Sequence, residues 1–444
     1  MKVFLLNLFV LVMLVIVQSA EAFEIKKITS DRGIKAWLVE DHKNPLITVQ
    51  ISMNGGSSLD PENKDGLAYL VSGLLDEGAG LLDSKSFQSS LEENSISLSF
   101  NARTDNFSGT MSTLTETSDE AFRLLRLSLN SPRFDQDPMF RVTNQILAGL
   151  RASKENPNRI AGRLWWQLAF PKHAYGKQKK GNEETLELIT QQDLKDFAKR
   201  TFAQDNLTVS VVGDITPERL STVLDQVFGD LPLFSNINTL GDAELKNAGQ
   251  TVIIERNIPQ SVVIFGHKGI RRNDPDWYAT TILFEILAGG FGSRLTEEIR
   301  EKRGLTYGVS AYPLPLNNAG LIIGKISTVN ERVGESIDLI KGIWRRFGEE
   351  GPTDQEMRDA KDYINGSFAL RFTNSSSIAT VLNALQRFEL GSDYISRRPS
   401  LINQITLKDL KYVAKRIFNS ADLTFSVVGM PKGIVSTMKA PILN

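Results

Sequence analysis

Side chains able to do chemistry are few and scattered in this chain. It holds three histidines, His42, His173 and His267, and no cysteine. None has a second histidine within four residues, so a helical zinc pair is absent. Each reads as a structural or surface residue. A Ser/His/Asp triad can be drawn from many residues and carries no weight without geometry. Gly289, Gly290 and Gly292 do not spell the phosphate-cradling G-x-x-x-x-G-K-[ST] loop. They read first as a turn where the backbone passes closely. The stretch "REKRGLTY" sets Arg300 seven residues before Tyr307. By charge pattern alone, Arg300 lies on a solvated helix face with Glu297, Glu298, Glu301, Lys302 and Arg303. Glu297 gives it an i, i+3 partner. Tyr307 alone reads as a core or rim tyrosine.

The elements that must position these residues come in two copies. "ITQQDLKDFAKRTFAQDNLTVSVVG" (189–213) aligns without a gap to "ITLKDLKYVAKRIFNSADLTFSVVG" (405–429), at an offset of 216 (405 less 189), with 15 of 25 positions identical. Each copy predicts a helix capped by Thr190 or Thr406, then a β-branched strand ended by glycine. Asp60-Pro61 follows the alternating run "LITVQISM" (46–53) and Asp274-Pro275 follows "QSVVIFGHKG" (260–269), which extends the duplication at an offset of 214 (274 less 60). The chain therefore reads as two homologous domains, 23–230 and 250–444, joined by a polar linker at 231–249. Strands grouped with helices predict an α+β fold, each domain a mainly antiparallel sheet covered on one face by helices.

The opening helix of the first copy holds a puzzle. "GLAYLVSGLLDEGAG" (66–80) has an apolar face of Ala68, Leu70, Val71, Leu74 and Leu75, with Ser72 and Gly73 in its middle. A glycine inside a helix costs about 1 kcal/mol relative to alanine.

The remaining composition narrows the classes. A net charge of −1 over 444 residues gives no basic stripe for nucleic acid. The start, "MKVFLLNLFVLVMLVIVQSAEAFE", has Lys2, an apolar run to Val17, and Ala20 and Ala22 in A-x-A spacing. This predicts a signal peptide over 1–22 and export, with an uncleaved anchor as the alternative. After cleavage no membrane segment is expected. The lack of cysteine excludes disulfides and a lipoprotein anchor.

Taken in order, several stretches resemble the pitrilysin/insulinase family of metallopeptidases. They are "NGGSSLDPENKDGLAYL", "FNARTDNFSGTMST", "FPKHAYGKQKKGNEETLELIT" and "LAGGFGSRLTEEIREKRGLTYGVSAY". The closest likeness is to the short, two-domain members related to mitochondrial processing peptidase. In catalytic members the first helix bears H-x-x-E-H, two zinc ligands and a general base. Here those places read Tyr69, Leu70, Val71, Ser72 and Gly73. The third ligand, a glutamate of a later helix, is missing near Gly149, with Glu155 the nearest one. The resemblance thus implies a degenerate zinc site that binds no metal in this chain.

The resemblance also implies what is kept. Catalytic members draw an arginine and a tyrosine seven positions apart from the opposite domain, matched here by Arg300 and Tyr307. A fixed guanidinium and phenol can donate to the oxyanion that forms as water attacks a peptide carbonyl. Arg303 has the wrong spacing. The 289–292 glycines match a substrate-contacting glycine-rich loop of the non-catalytic processing-peptidase subunit. The helix through Arg300 is expected to end at Gly304 and Tyr307 to start a strand, so that both side chains enter one cleft. The implied role is a non-catalytic subunit in a clam-shell-like heterodimer, with zinc in a homologous partner carrying H-x-x-E-H and a peptide as substrate. The alternative is an inactive peptide-binding or scaffold protein of the same fold.

Overall fold

The computed structural model describes residues 24–443. The leader expected at 1–22 lies outside the described residues. Two sheets carry the fold. The first runs β1 (Lys26–Thr29), β2 (Lys35–Glu40), β6 (Leu207–Gly213), β3 (Leu46–Asn54), β5 (Asn106–Leu114) and β4 (Ser97–Ala102), in that spatial order. The second runs β7 (Thr251–Glu255), β11 (Thr424–Gly429), β8 (Gln260–Lys268), β10 (Gly320–Val329) and β9 (Val309–Pro315). One pair in each is parallel, β2 with β6 and β7 with β11, and the rest are antiparallel. Register repeats as well: Leu46 faces Leu114 across β3 and β5, and Gln260 faces Val329 across β8 and β10.

Both repeated helices form as their caps predict. Thr190 and Asp193 close a capping box on Gln191–Thr201, and Thr406 and Asp409 close the matching one on Leu407–Ile417. Beneath each sheet lies one large apolar core. The first includes Leu67, Leu70, Phe107 and Phe197, the second Ile282, Trp344 and Phe425.

The opposite face of each sheet is also covered, which the sequence reading did not foresee. Helix Pro157–Ala169, from the first half of the chain, packs on β8 and β11 of the second sheet. Helix Ser375–Arg387, from the second half, packs on β3 and β6 of the first. The two halves have exchanged a helix. Burial on both faces explains why β11 is buried at every position, and why β3 is buried from Ile47 to Met53 although its residues alternate apolar and polar. Residues 231–249 form neither helix nor strand. Among the described residues no helix is long and apolar enough to cross a membrane.

Candidate functional site

The degenerate helix is shorter than its apolar pattern predicts. It spans Leu67–Ser72 and is capped by Gly73, so Gly73 ends the helix instead of interrupting it. Two features explain the glycine. Leu74 already bonds back to the Val71 carbonyl in a tighter turn. A Cβ on Gly73 would lie 3.1 Å from Val142 on the neighbouring Gln136–Lys154 helix. Ser72 is buried, and its hydroxyl donates to the Tyr69 carbonyl at 2.7 Å. Tyr69 packs partly buried against the first core, beneath the Lys180 ammonium at 4.5 Å. Gly149 is exposed, and Glu155 stands just past the end of its helix. The two ligand places thus offer a phenol and no side chain, and the base place a hydroxyl engaged with backbone. They do not fit the metal. Among the described residues no cluster of three metal-ligating side chains exists elsewhere.

The histidines are spent on structure. His267 is buried; its Nδ1–H donates to the Lys268 carbonyl at 2.7 Å and its Nε2 accepts from the Trp344 indole at 2.9 Å. Burial pushes its imidazolium down to about 4, so the ring is neutral at pH 7. His173 Nδ1 accepts from the Tyr175 N–H and caps a short turn. His42 lies between carboxylates, 2.6 Å from Asp214 and 3.2 Å from Glu40, and these hold its charged form above the usual histidine range.

Arg300 and Tyr307 sit on the second half. The segment carrying Arg300, Thr296–Glu301, is wound as a π-helix, where an α-helix was expected. Such turns recur at functional positions. It closes at Gly304, whose φ of +60° suits glycine and whose N–H donates to the Arg300 carbonyl. The Arg300 guanidinium stacks 4.9 Å over Phe291, and Phe291 stands in the Gly289–Gly292 loop, 76% exposed. Gly289 caps the helix Trp277–Ala288, where a Cβ would meet the Glu285 carboxylate at 2.4 Å, while Gly292 faces open space.

Tyr307 does not start a strand. It lies in the bend before β9 and is 89% exposed. Thr306 pins that bend, its hydroxyl bonded to the carbonyls of Gly308 and Ser327. Strand pairing begins two residues on, at Val309 opposite Ile326. Among the described residues no hydrogen bond or ring contact joins Arg300 to Tyr307. Tyr307 stands exposed at the surface, while Arg300 is part-exposed and pairs with the Glu301 carboxylate at 3.4 Å.

A cavity reached through Lys180 was not read from the sequence. About 970 Å³ in volume, it lies between the helix Pro157–Ala169, the 174–184 loop, the end of β7 and the segment 440–443. Lys180, which covers Tyr69, is on its wall. The one sequence signal was the run of Lys177, Lys179 and Lys180.

Fold and site together define a two-domain metallopeptidase-like chain that has lost its metal ligands. The comparisons agree. A model described as insulinase (peptidase family M16) matches residues 35–181, and one described as peptidase M16 inactive domain matches 188–364. A relative from Helicobacter pylori named non-peptidase homolog YmxG is 30% identical over 404 residues, covering 88% of this chain and 91% of that one. The chain therefore belongs to the insulinase family, as a member without the H-x-x-E-H residues. An uncharacterized zinc protease of Rickettsia bellii is 22% identical over 86% of this chain and 92% of its own length. Among solved structures, a peptidase M16 inactive domain from Pseudomonas fluorescens superposes with a TM-score of 0.86 at 26% identity, covering 94% of this chain and 100% of that one. A protease from Helicobacter pylori has a TM-score of 0.81 at 17% identity, over 91% and 99% of the two chains, and shares the fold.

Proposed function

We propose that this chain is the non-catalytic, substrate-binding subunit of a heterodimeric zinc metallopeptidase acting on peptides or unfolded polypeptides. In this reading it is exported, with the bacterial periplasm as its compartment, and its partner is a homologous chain carrying H-x-x-E-H. The observation that carries the reading is the presentation of Arg300 and Tyr307. A tyrosine 89% exposed on a pinned bend makes no contact among the described residues that needs a phenol, and seven residues before it a part-exposed arginine pairs with Glu301 and stacks on an exposed phenylalanine. A guanidinium and a phenol offered outward suit hydrogen bonds to a peptide bound against a second subunit. As negative charge grows on the scissile carbonyl oxygen, both can donate to it or to the neighbouring backbone carbonyl. Exposed Phe291 and the glycines beside it give the peptide an apolar contact and room for its backbone.

The test is reconstitution. The mature chain is mixed with a homologous chain bearing H-x-x-E-H, and cleavage of an unfolded fluorogenic peptide is followed with zinc analysis of each component. This chain alone is expected to bind no stoichiometric zinc and to cleave nothing. The mixture is expected to be active, and Arg300→Ala to lower kcat about 10²–10³-fold, the cost of one oxyanion donor. Tyr307→Phe is expected to lower it less. Full activity in both variants removes the role. The alternative reading, an inactive peptide-binding or scaffold protein, predicts a mixture no more active than the partner alone.

A further inference from the structure

The 970 Å³ cavity has a charge the rest of the chain lacks. The whole sequence carries a net charge of −1, yet seven Lys or Arg residues line this cleft against three Glu. Its volume is at the upper end of the roughly 300–1,000 Å³ seen for ligand pockets. Several of the cations make no ion pair among the described residues, although Asp105 lends Lys179 a longer-range attraction. Among the described residues the side chains of Arg159, Arg163 and Lys179 make no hydrogen bond or salt bridge. Arg163 is half-buried, and burial holds its guanidinium below the usual arginine range. A half-buried cation without a partner is an unfavourable arrangement for folding alone. Of the three acids, Glu183 is already engaged by Arg151 and Lys154.

The rest of the wall identifies the occupant. Leu150, Ile160, Trp166, Ile254 and Leu443 supply apolar surface between the cations. Glu155 and Glu184 stand in the same cleft and repel a uniformly charged polymer such as a nucleic acid. Ile254 lies on β7, the edge strand of the second sheet, whose outer side is bonded only in part by Ser436 and Thr437. An edge strand takes an extended peptide by strand addition. A ligand mixing carboxylates with apolar side chains on an extended backbone matches all three features.

We propose that this cleft binds an extended acidic peptide segment, with Arg159, Arg163 and Lys179 taking its carboxylates and Trp166 and Ile254 its apolar side chains. The proposal rests on the peptide-binding reading above and narrows its substrate class. It also gives the degenerate helix a use. Lys180 over Tyr69 sets a cation beside the helix from which zinc would otherwise act.

The experiment is fluorescence anisotropy on the mature full-length chain with three labelled oligopeptides of equal length. One alternates Glu with Leu, one Gln with Leu and one Lys with Leu, and a labelled oligouridylate is the fourth probe. The Glu peptide is expected to bind at least tenfold more tightly than the Gln peptide and the Lys peptide most weakly, with a preference that fades as salt rises. Arg159→Gln with Arg163→Gln is expected to abolish the preference and leave binding of the Gln peptide in place, which also reports that the variant folds. Lys179→Gln, at an exposed position, is expected to reduce the preference by a smaller factor. Equal binding of all three peptides, or a preference intact in the double variant, overturns the acidic selection and leaves peptide binding standing. Binding of no peptide overturns both. Tighter binding of the oligouridylate overturns the choice of occupant.

Discussion

The exchanged helices sit at corresponding places in the two halves and dock by opposite chemistry. Strands β3 and β8 begin 214 residues apart (260 less 46), which matches Ser52 to Gly266. The two helices begin 218 apart (375 less 157), which matches Trp165 to Asn383. On the second sheet the contact is a large ring on a residue without a side chain. Trp165 is fully buried, and a Cβ on Gly266 would lie 2.7 Å from its ring. The indole N–H donates to the Thr424 carbonyl. On the first sheet the same contact is polar. Ser52 donates to the Asn383 side-chain oxygen at 2.6 Å, and the Asn383 amide reaches the carbonyls of Gln50 and Thr208. One duplicated geometry has thus been filled twice, once by shape and once by hydrogen bonds. A buried joint needs satisfied polar groups or close packing, and either serves.

Breaking each joint tests that equivalence. Trp165→Ala empties the aromatic joint and is expected to cost about 3–5 kcal/mol in denaturant unfolding, the usual loss for a buried large ring. Asn383→Ala leaves the Ser52 hydroxyl without its partner, removes the amide's bonds to the Gln50 and Thr208 carbonyls, and is expected to cost about 1–3 kcal/mol. Equal losses for the two variants would mean that the aromatic and polar joints are not different in kind. A smaller loss for Trp165→Ala than for Asn383→Ala would reverse the ranking. Ser52→Gly should then partly relieve Asn383→Ala, because it removes the stranded hydroxyl.

How much of this was legible depends on whether the signal was local. The repeated helices, their Thr caps and the strands ending at Gly213 and Gly429 were readable, because caps and β-branched runs act within a few residues. The loss of the zinc ligands was readable because it is a matter of residue type at Tyr69, Ser72 and Gly73. The helix exchange was not readable. Asn156 and Pro157 mark a helix start, but an apolar face does not say which sheet will cover it. The close fit at Gly73 was missed because the neighbour it faces, Val142, is far along the chain. The bend at Tyr307 depends on a tertiary hydrogen bond, Thr306 to Ser327. The cationic cleft draws on Lys154, Arg163, Lys180 and Arg256, and only the lysines at 177–180 are neighbours in sequence.

The smallest expected effect concerns a second matched pair, Asp60 with Arg200 and Asp274 with Arg416. In the second half the pair is closed: Arg416 donates to Asp274 at 2.9 Å and also binds Asp276. Burial alone would raise the Asp274 carboxyl, but the Arg416 and Asp276 hydrogen bonds hold it below the usual carboxylate range. In the first half the pair is open. Asp60 spends both oxygens on the N–H groups of Gly66 and Ala68, at 2.9 Å each, and holds the entry to the degenerate helix. Arg200 instead stacks on Phe197, with one buried guanidinium nitrogen unbonded. Burial therefore pushes Asp60 up to about 7. The sign follows from proton binding. The folded state holds the Asp60 proton more tightly than the unfolded chain, so the stability it lends is complete below pH 4 and falls away as pH rises through 7. Between pH 6 and pH 8 the loss is on the order of 1 kcal/mol. Asp60→Asn gives up one of the two backbone bonds and is expected to be less stable at pH 6, yet to flatten the decline from pH 6 to pH 8. Asp274→Asn is expected to leave that window unchanged, because its titration lies at acid pH. A decline of the same slope in wild type and Asp60→Asn would place the titrating group elsewhere and erase this difference between the halves.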